Sequence, residues 1–195
     1  MRVKVNEEPM TALGKYATIP IAFEVSAVFD VSDGGAGGFV LTERRLDAPY
    51  VKDYDAAGEN PARWASRFDL SHWGLLAARA GERLVGGAAV AFDDPGLDLL
   101  EGRRDLAVLW DIRVSPEARG RGVGRALFAA AEAWARARGC QELKVETQNV
   151  NVPACRFYTR QGCLLGAVNR RAYPGLTDEI QLLWYKDLTR PARPG

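Results

Sequence analysis

The residues best suited to chemistry stand together at 119–125, where Arg119-Gly120-Arg121-Gly122-Val123-Gly124-Arg125 runs into a stretch of helical periodicity. Glycines at alternate positions let successive backbone N–H groups turn toward one point, because glycine has no side chain to restrict φ. A helix beginning there adds unsatisfied N–H donors and the positive end of its dipole. Together these make an anion site of the kind that holds a pyrophosphate. Arg119, Arg121 and Arg125 bring charge-assisted contacts to the same place. Neither familiar phosphate motif fits: no Lys-Ser/Thr follows the last glycine, and the spacing is G-x-G-x-G, not G-x-G-x-x-G. A glycine-rich turn that merely starts a helix is the plain alternative.

Groups able to move protons are more dispersed. Asp111 sits inside the apolar run 106–114, and Glu146 near the end of the next strand-like run. A bare buried carboxylate is costly, so Asp111 must face water, a partner or a substrate. Strand alternation sends Trp110 and Asp111 to opposite faces. Either carboxylate reads as a proton acceptor or as a seat for a cationic group. Asp178 and Glu179 are further acidic candidates, against a solvated turn. Trp110, Tyr16, Tyr50 and Tyr54 read equally well as walls of an acceptor pocket or as core. Cys155 reads as a small buried residue, and the single histidine, His72, as a surface or capping group.

These groups need a scaffold, and the periodicity supplies one. Residues 1–18 are mixed and polar and read as a partly ordered N-terminal arm. Period-2 alternation over 19–31 predicts a half-buried strand, and the glycines at 34–38 a turn into a hairpin partner at 39–45. A helix is expected near 61–68. Runs at 73–79 and 83–92 flank Ala80-Gly81-Glu82, a hairpin signal. Residues 106–114 form another strand, ended by Ser115-Pro116. Helical spacing over 123–138 stops at Gly139. A strand at 143–147, a short helix at 153–161 with proline at its start, and strands at 163–168 and 179–185 complete the order. Residues 189–195 form a Pro/Arg tail. Such an order indicates one mixed sheet with helices packed on it, an α+β class. The expected organisation is one domain over 19–188, with a cofactor core at about 70–170.

Composition narrows the function classes. The 195 residues carry 26 Lys+Arg against 25 Asp+Glu, a net charge of +1, which lacks the basic footprint of a nucleic-acid binder. No apolar run approaches the roughly 20 residues of a membrane-spanning helix, and the first 20 residues hold no secretory h-region. Three cysteines without C-x-x-C fit reduced thiols in a cytoplasmic protein better than disulfides. With one histidine, no metal site is expected.

The chain resembles the GNAT N-acetyltransferase superfamily. Arg119, Gly122 and Gly124 match its Arg/Gln-x-x-Gly-x-Gly/Ala signature between a strand and a helix, and Asn151-Val152-Pro153-Ala154-Cys155-Arg156-Phe157-Tyr158 matches its N-x-x-A-x-x-x-Y segment. The resemblance covers about residues 70–188. Within the superfamily the wording is closest to streptothricin acetyltransferases, through WDIRVSPEARGRGVG, LKVETQNVNVPACRFYTRQG and YPGLTDEIQLLWYKDL. It implies a single-domain, mostly antiparallel twisted sheet with helices on both faces. Acetyl-CoA would be the cosubstrate, and its acetyl group would pass directly to a small cationic amine in a ternary complex. Residues 119–125, namely Arg119, Gly120, Arg121, Gly122, Val123, Gly124 and Arg125, would hold the cofactor pyrophosphate. The backbone of Ile112, Arg113 and Val114, with Asn151, Ala154, Phe157 and Tyr158, would hold the pantetheine arm. Family strands splay at a bulge, which frees a backbone donor for the thioester carbonyl. Tyr158 would be the acid for the departing thiolate, with Asp111 or Glu146 the base, and Trp110, Asp111, Glu146, Asp178 and Glu179 would meet the acceptor. Acetylation of protein N-termini or other small amines, and a non-catalytic acyl-CoA-binding module, are the competing readings. The resemblance also leaves room for a homodimer.

Overall fold

The computed structural model describes residues 2–36 and 38–190. In chain order its elements are β1 (Lys4–Glu8), α1 (Leu13–Tyr16), β2 (Phe23–Asp33), β3 (Phe39–Lys52), β4 (Gly74–Ala80), β5 (Arg83–Phe92), β6 (Leu106–Val114), α2 (Val123–Ala137), β7 (Glu142–Gln148), α3 (Val152–Arg160), β8 (Leu164–Asn169) and β9 (Gln181–Asp187). Contacts group the described residues into two compact units, one within 2–21, 53–144 and 187–190, the other within 22–52 and 145–186. The fold class is α+β with antiparallel strand pairs. No helix among the described residues is long and apolar enough to cross a membrane.

In the first unit the strands lie in the order β1-β4-β5-β6. Two adjacent glycines of β5 show that both faces are covered. A Cβ on Gly86 would meet Val123 and Leu127 of α2 at 3.1 Å, and one on Gly87 would meet the Tyr16 ring at 2.6 Å. Because successive strand residues face opposite sides, α2 packs on one face and the end of α1 on the other. Val123, Leu127, Ala131, Trp134 and Ala135 form the buried stripe of α2, and Gly139, at φ +79°, ends it as its position predicts. On the α1 side Tyr16, Trp64, Trp73, Leu75, Leu100 and Val108 belong to one core cluster, with Trp110 packed against it.

The N-terminal stretch corrects the expected arm. Residues 4–8 pair with β4, with Lys4 opposite Arg79 and Glu8 opposite Leu75. Glu8 takes an ion pair from Arg79 at 2.6 Å, and the Trp134 indole N–H donates to Glu7 at 2.8 Å. A polar stretch of this kind suits an edge strand, whose charged side chains point outward and deter further pairing. Leu13 and Tyr16 are then buried. The predicted strand over 19–31 starts late, at Phe23, because Ile19 is spent in the first unit's core and Pro20 follows it. The 61–68 helix is a 3₁₀ segment, Pro61–Ser66, capped by Asn60. Of the expected tail, residues 191–195 lie outside the described residues, and the Thr189 N–H donates to the Asp187 carboxylate at 2.8 Å.

In the second unit β2 and β3 form the hairpin the glycine turn predicts, with Val31 opposite Leu41. Their register breaks between Val25 and Ala27, where β3 carries Pro49, which has no N–H for the ladder. Val25, Val28 and Val150 form a small core there. β7, β9 and β8 lie side by side. Asn149, buried at the end of β7, donates from its amide to the Phe29 carbonyl at 3.0 Å and accepts from the Ile180 N–H at 2.8 Å, tying β2 to the start of β9.

Candidate active site

At the loop after β6, Gly120 and Gly122 adopt φ of +70° and +82°, the left-handed region. A Cβ at either would find open space, so conformation rather than crowding requires glycine. Gly122 is the N-cap of α2, and its carbonyl accepts the first helical bond, from Ala126 N–H at 3.0 Å. The N–H groups of Val123, Gly124 and Arg125 therefore have no acceptor within the helix. Arg119, Arg121 and Arg125 are exposed around them. Arg119 also donates to the Val114 carbonyl at 3.1 Å, fastening the loop to the end of β6. Val123 itself is buried and offers only its backbone. This donor set, open N–H groups with unburied guanidinium charge, fits a pyrophosphate.

β6 carries a bulge. Asp111 faces Ala89 but Leu109 faces Val90, so Trp110 is an extra residue without a partner on β5. The bulge overturns the expectation that Trp110 and Asp111 diverge. Trp110 packs edge-on to Trp64 and Trp73, Trp64 meets Tyr16, and Tyr16 donates its hydroxyl to Asp111. Both side chains thus reach the α1 face.

Arg113 stands near the end of β6. Its side chain is fully buried and carries no charge to the cofactor loop; only its backbone can serve there. The guanidinium forks onto Asp111 at 2.9 and 2.8 Å and onto Asp55 at 2.9 and 3.0 Å, and reaches the Ile19 carbonyl at 3.2 Å. Burial opposes its charge, but the hydrogen bonds and charges of Asp111 and Asp55 overcome that and raise its pKa. Asp111 is accordingly the ion-pair partner of Arg113.

The second unit holds the remaining candidates. Asn151 caps α3, its side-chain oxygen accepting from Ala154 N–H at 3.1 Å. Tyr158 is buried on α3, its ring 5.2 Å from that of half-buried Phe157. Cys155 is buried beside Thr147, and burial pushes its thiol up to about 11. Glu146 accepts from the Tyr173 hydroxyl at 2.6 Å, and Gln148 donates to that same hydroxyl at 3.1 Å. Glu179 pairs with Lys52, and Asp178 is exposed. Burial, then Glu179 and Asp178, raise the Tyr50 hydroxyl, while Tyr16 is core. His72 is exposed, with Nδ1 3.1 Å from the Asp93 carbonyl.

The structure thus gathers 110–114 with 119–125 in one unit, and groups 146, 151, 154, 157, 158, 178 and 179 in the other. Sequence reading missed Asp55, Tyr173 and Asn149. Asn149 alone had a local signal, two residues before Asn151 at a strand end; Asp55 and Tyr173 are recognised only through distant partners.

The acetyltransferase (GNAT) family profile matches residues 41–163. A streptothricin acetyltransferase of Streptomyces lavendulae is 33% identical over 171 residues, covering 87% of this chain and 86% of that protein. The crystal structure of a nourseothricin acetyltransferase superposes with a TM-score of 0.75 at 27% identity, over 96% of this chain and 99% of that one. A Bacillus anthracis chain crystallised with acetyl coenzyme A has the same fold, with a TM-score of 0.77 at 24% identity, over 95% and 99% of the two chains.

Proposed function

Since the chain belongs to the GNAT acetyltransferase family and is an acetyl-CoA-dependent N-acetyltransferase, we propose that its acceptor is a primary amine of streptothricin or a closely similar cationic antibiotic, and that transfer is direct, in a ternary complex. The observation that carries the acceptor is the likeness, along nearly the whole of both chains, to a protein named streptothricin acetyltransferase. Acetyl-CoA supplies the acetyl group already activated as a thioester. The open N–H groups of Val123, Gly124 and Arg125, with Arg119, Arg121 and Arg125 side chains, hold the pyrophosphate. The backbone of 112–114 lies along the pantetheine amides.

Tyr158 delivers a proton to the departing sulfur. Glu146, its position fixed by Tyr173, takes the proton from the amine, directly or through water. Asp178 adds negative charge for a polycationic acceptor, beside Glu179 in its pair with Lys52. The nucleophile is the substrate amine and not Cys155, whose raised pKa keeps it a neutral thiol.

A CoA-release assay over streptothricin, other small amines and peptide N-termini tests this. Turnover is expected with streptothricin, and Tyr158→Phe is expected to lower kcat about a hundredfold while the acetyl-CoA Kd stays put. Turnover confined to peptide N-termini or unrelated amines, or acetyl-CoA binding with no turnover on any of them, overturns the proposal.

A further inference from the structure

We propose that Tyr16 and Asp55 are positioning residues of the acetyl-transfer site, which act through Asp111 and Arg113 to lock β6 in its bulged register. The inference rests on the reading that the β6 backbone faces acetyl-CoA.

A bulge has a nearby competitor. If β6 absorbed its extra residue, 111–114 would move by one position and their side chains would exchange faces. The face they would enter is apolar: beside β5 and β6 it is filled by Val123 and Leu127 of α2, both within 3.1 Å of a Cβ placed on Gly86. Asp111 and Arg113 would arrive there stripped of Tyr16, Asp55 and the Ile19 carbonyl. A buried ion pair that loses the hydrogen bonds supporting it is strongly unfavourable. Only the bulged register lets both residues meet their partners, so the ion pair acts as a register device.

Tyr16 reads the strand pair from both sides. Its ring lies over Gly87, which stands opposite Arg113 in the ladder. Its hydroxyl donates to Asp111, the first residue after the bulge. Burial, then the Asp111 charge, raise that hydroxyl well above its ordinary pKa, so it remains a donor. Asp55 completes the lock from the far side of the guanidinium. With Asp111 and the Ile19 carbonyl it gives every guanidinium nitrogen an acceptor. Neither Tyr16 nor Asp55 lies on β6, yet losing the hydroxyl of one or the charge of the other loosens the geometry that sets where the 112–114 backbone points. A displacement on the scale of 1 Å at reacting groups costs up to about a hundredfold in rate.

The test uses Tyr16→Phe, which keeps the ring on Gly87, and Asp55→Asn, which keeps the shape and removes the charge. Amide hydrogen exchange over residues 106–114 is measured without any ligand, acetyl-CoA affinity by calorimetry, and kcat on whichever amine the wild type acetylates. Each variant should speed exchange at 110–114 about tenfold with exchange elsewhere unchanged. Each should lower kcat about tenfold while shifting the acetyl-CoA Kd less than threefold, and the double variant should lose less than the product of the two, as groups sharing one partner do. Unchanged exchange at 110–114, unchanged kcat, or faster exchange throughout the protein would each overturn the proposal. Because exchange needs no acceptor, absence of turnover on streptothricin counts against the acceptor alone.

Discussion

Cys155 stands next to Ala154 in the segment assigned to the cofactor, and its Sγ lies 3.5 Å from the Thr147 hydroxyl. With the thiol raised to about 11 by burial, fewer than about one in a thousand of these side chains are thiolate at neutral pH. Nucleophilic attack on a thioester needs the thiolate, so an acetyl-cysteine route has almost no reactive species to use. Cys155→Ala is expected to keep kcat within about twofold, and the wild type to survive brief alkylation by iodoacetamide. Trapping of an acetylated Cys155 peptide, with kcat lost in Cys155→Ala, would reverse the argument. Arg113 carries the complementary lesson about charge. An arginine beside a phosphate loop in sequence invites assignment to the phosphate, but strand alternation and the bulge turn Arg113 toward Asp55 and Asp111, leaving the loop's charge to Arg119, Arg121 and Arg125.

At the scale of elements, the start of α2 depends on a backbone shape more than on any side chain. Gly122 serves as N-cap at φ +82° with open space around its Cα, so Gly122→Ala meets no clash. It must instead hold an L-residue in the left-handed region, which costs about 1 kcal/mol or turns the loop into another shape. A turned loop no longer aims the free N–H groups of α2 at one point. The acetyl-CoA Kd should then rise about tenfold with little loss of kcat at saturation, measurable by calorimetry and by saturation kinetics. Arg121→Ala should act differently. Arg121 is exposed and makes no ion pair among the described residues, so its contribution is electrostatic and screened over about 8 Å at physiological salt. Its effect on Kd should shrink between 50 and about 300 mM salt, whereas that of Gly122→Ala should persist. An equal salt response in the two variants would mean that charge, not loop shape, dominates the site.

For the molecule as a whole, what could be read beforehand follows the range of the forces involved. β6, α2 and α3 emerge at nearly their observed bounds because their periodicity is local. The bulge at Trp110 belongs to a pair of strands, and two of the partners of Arg113 lie 58 and 94 positions away, at Asp55 and Ile19, so no window along the chain contains them. β1 hid for the same reason: edge strands are polar, and what defines β1 is its pairing with β4. Tertiary context also makes stability depend on alkaline pH. Burial raises Cys140 in one unit and Cys155 in the other from ordinary values near 9 to about 11, with Asp105 adding to the rise at Cys140. A folded-state pKa above the unfolded one means that the native state holds its proton more tightly. The stability this confers is complete below about pH 9 and drains away as pH rises through 11. For Cys155, the more deeply buried, a rise of that size corresponds to about 3 kcal/mol at most. Urea midpoints should therefore fall steadily between pH 9 and 11. The double variant Cys140→Ala/Cys155→Ala should be less stable at pH 8 but show a flatter profile across that interval. A wild-type profile as flat as the variant's would show that the thiols ionise alike in the folded and unfolded chain.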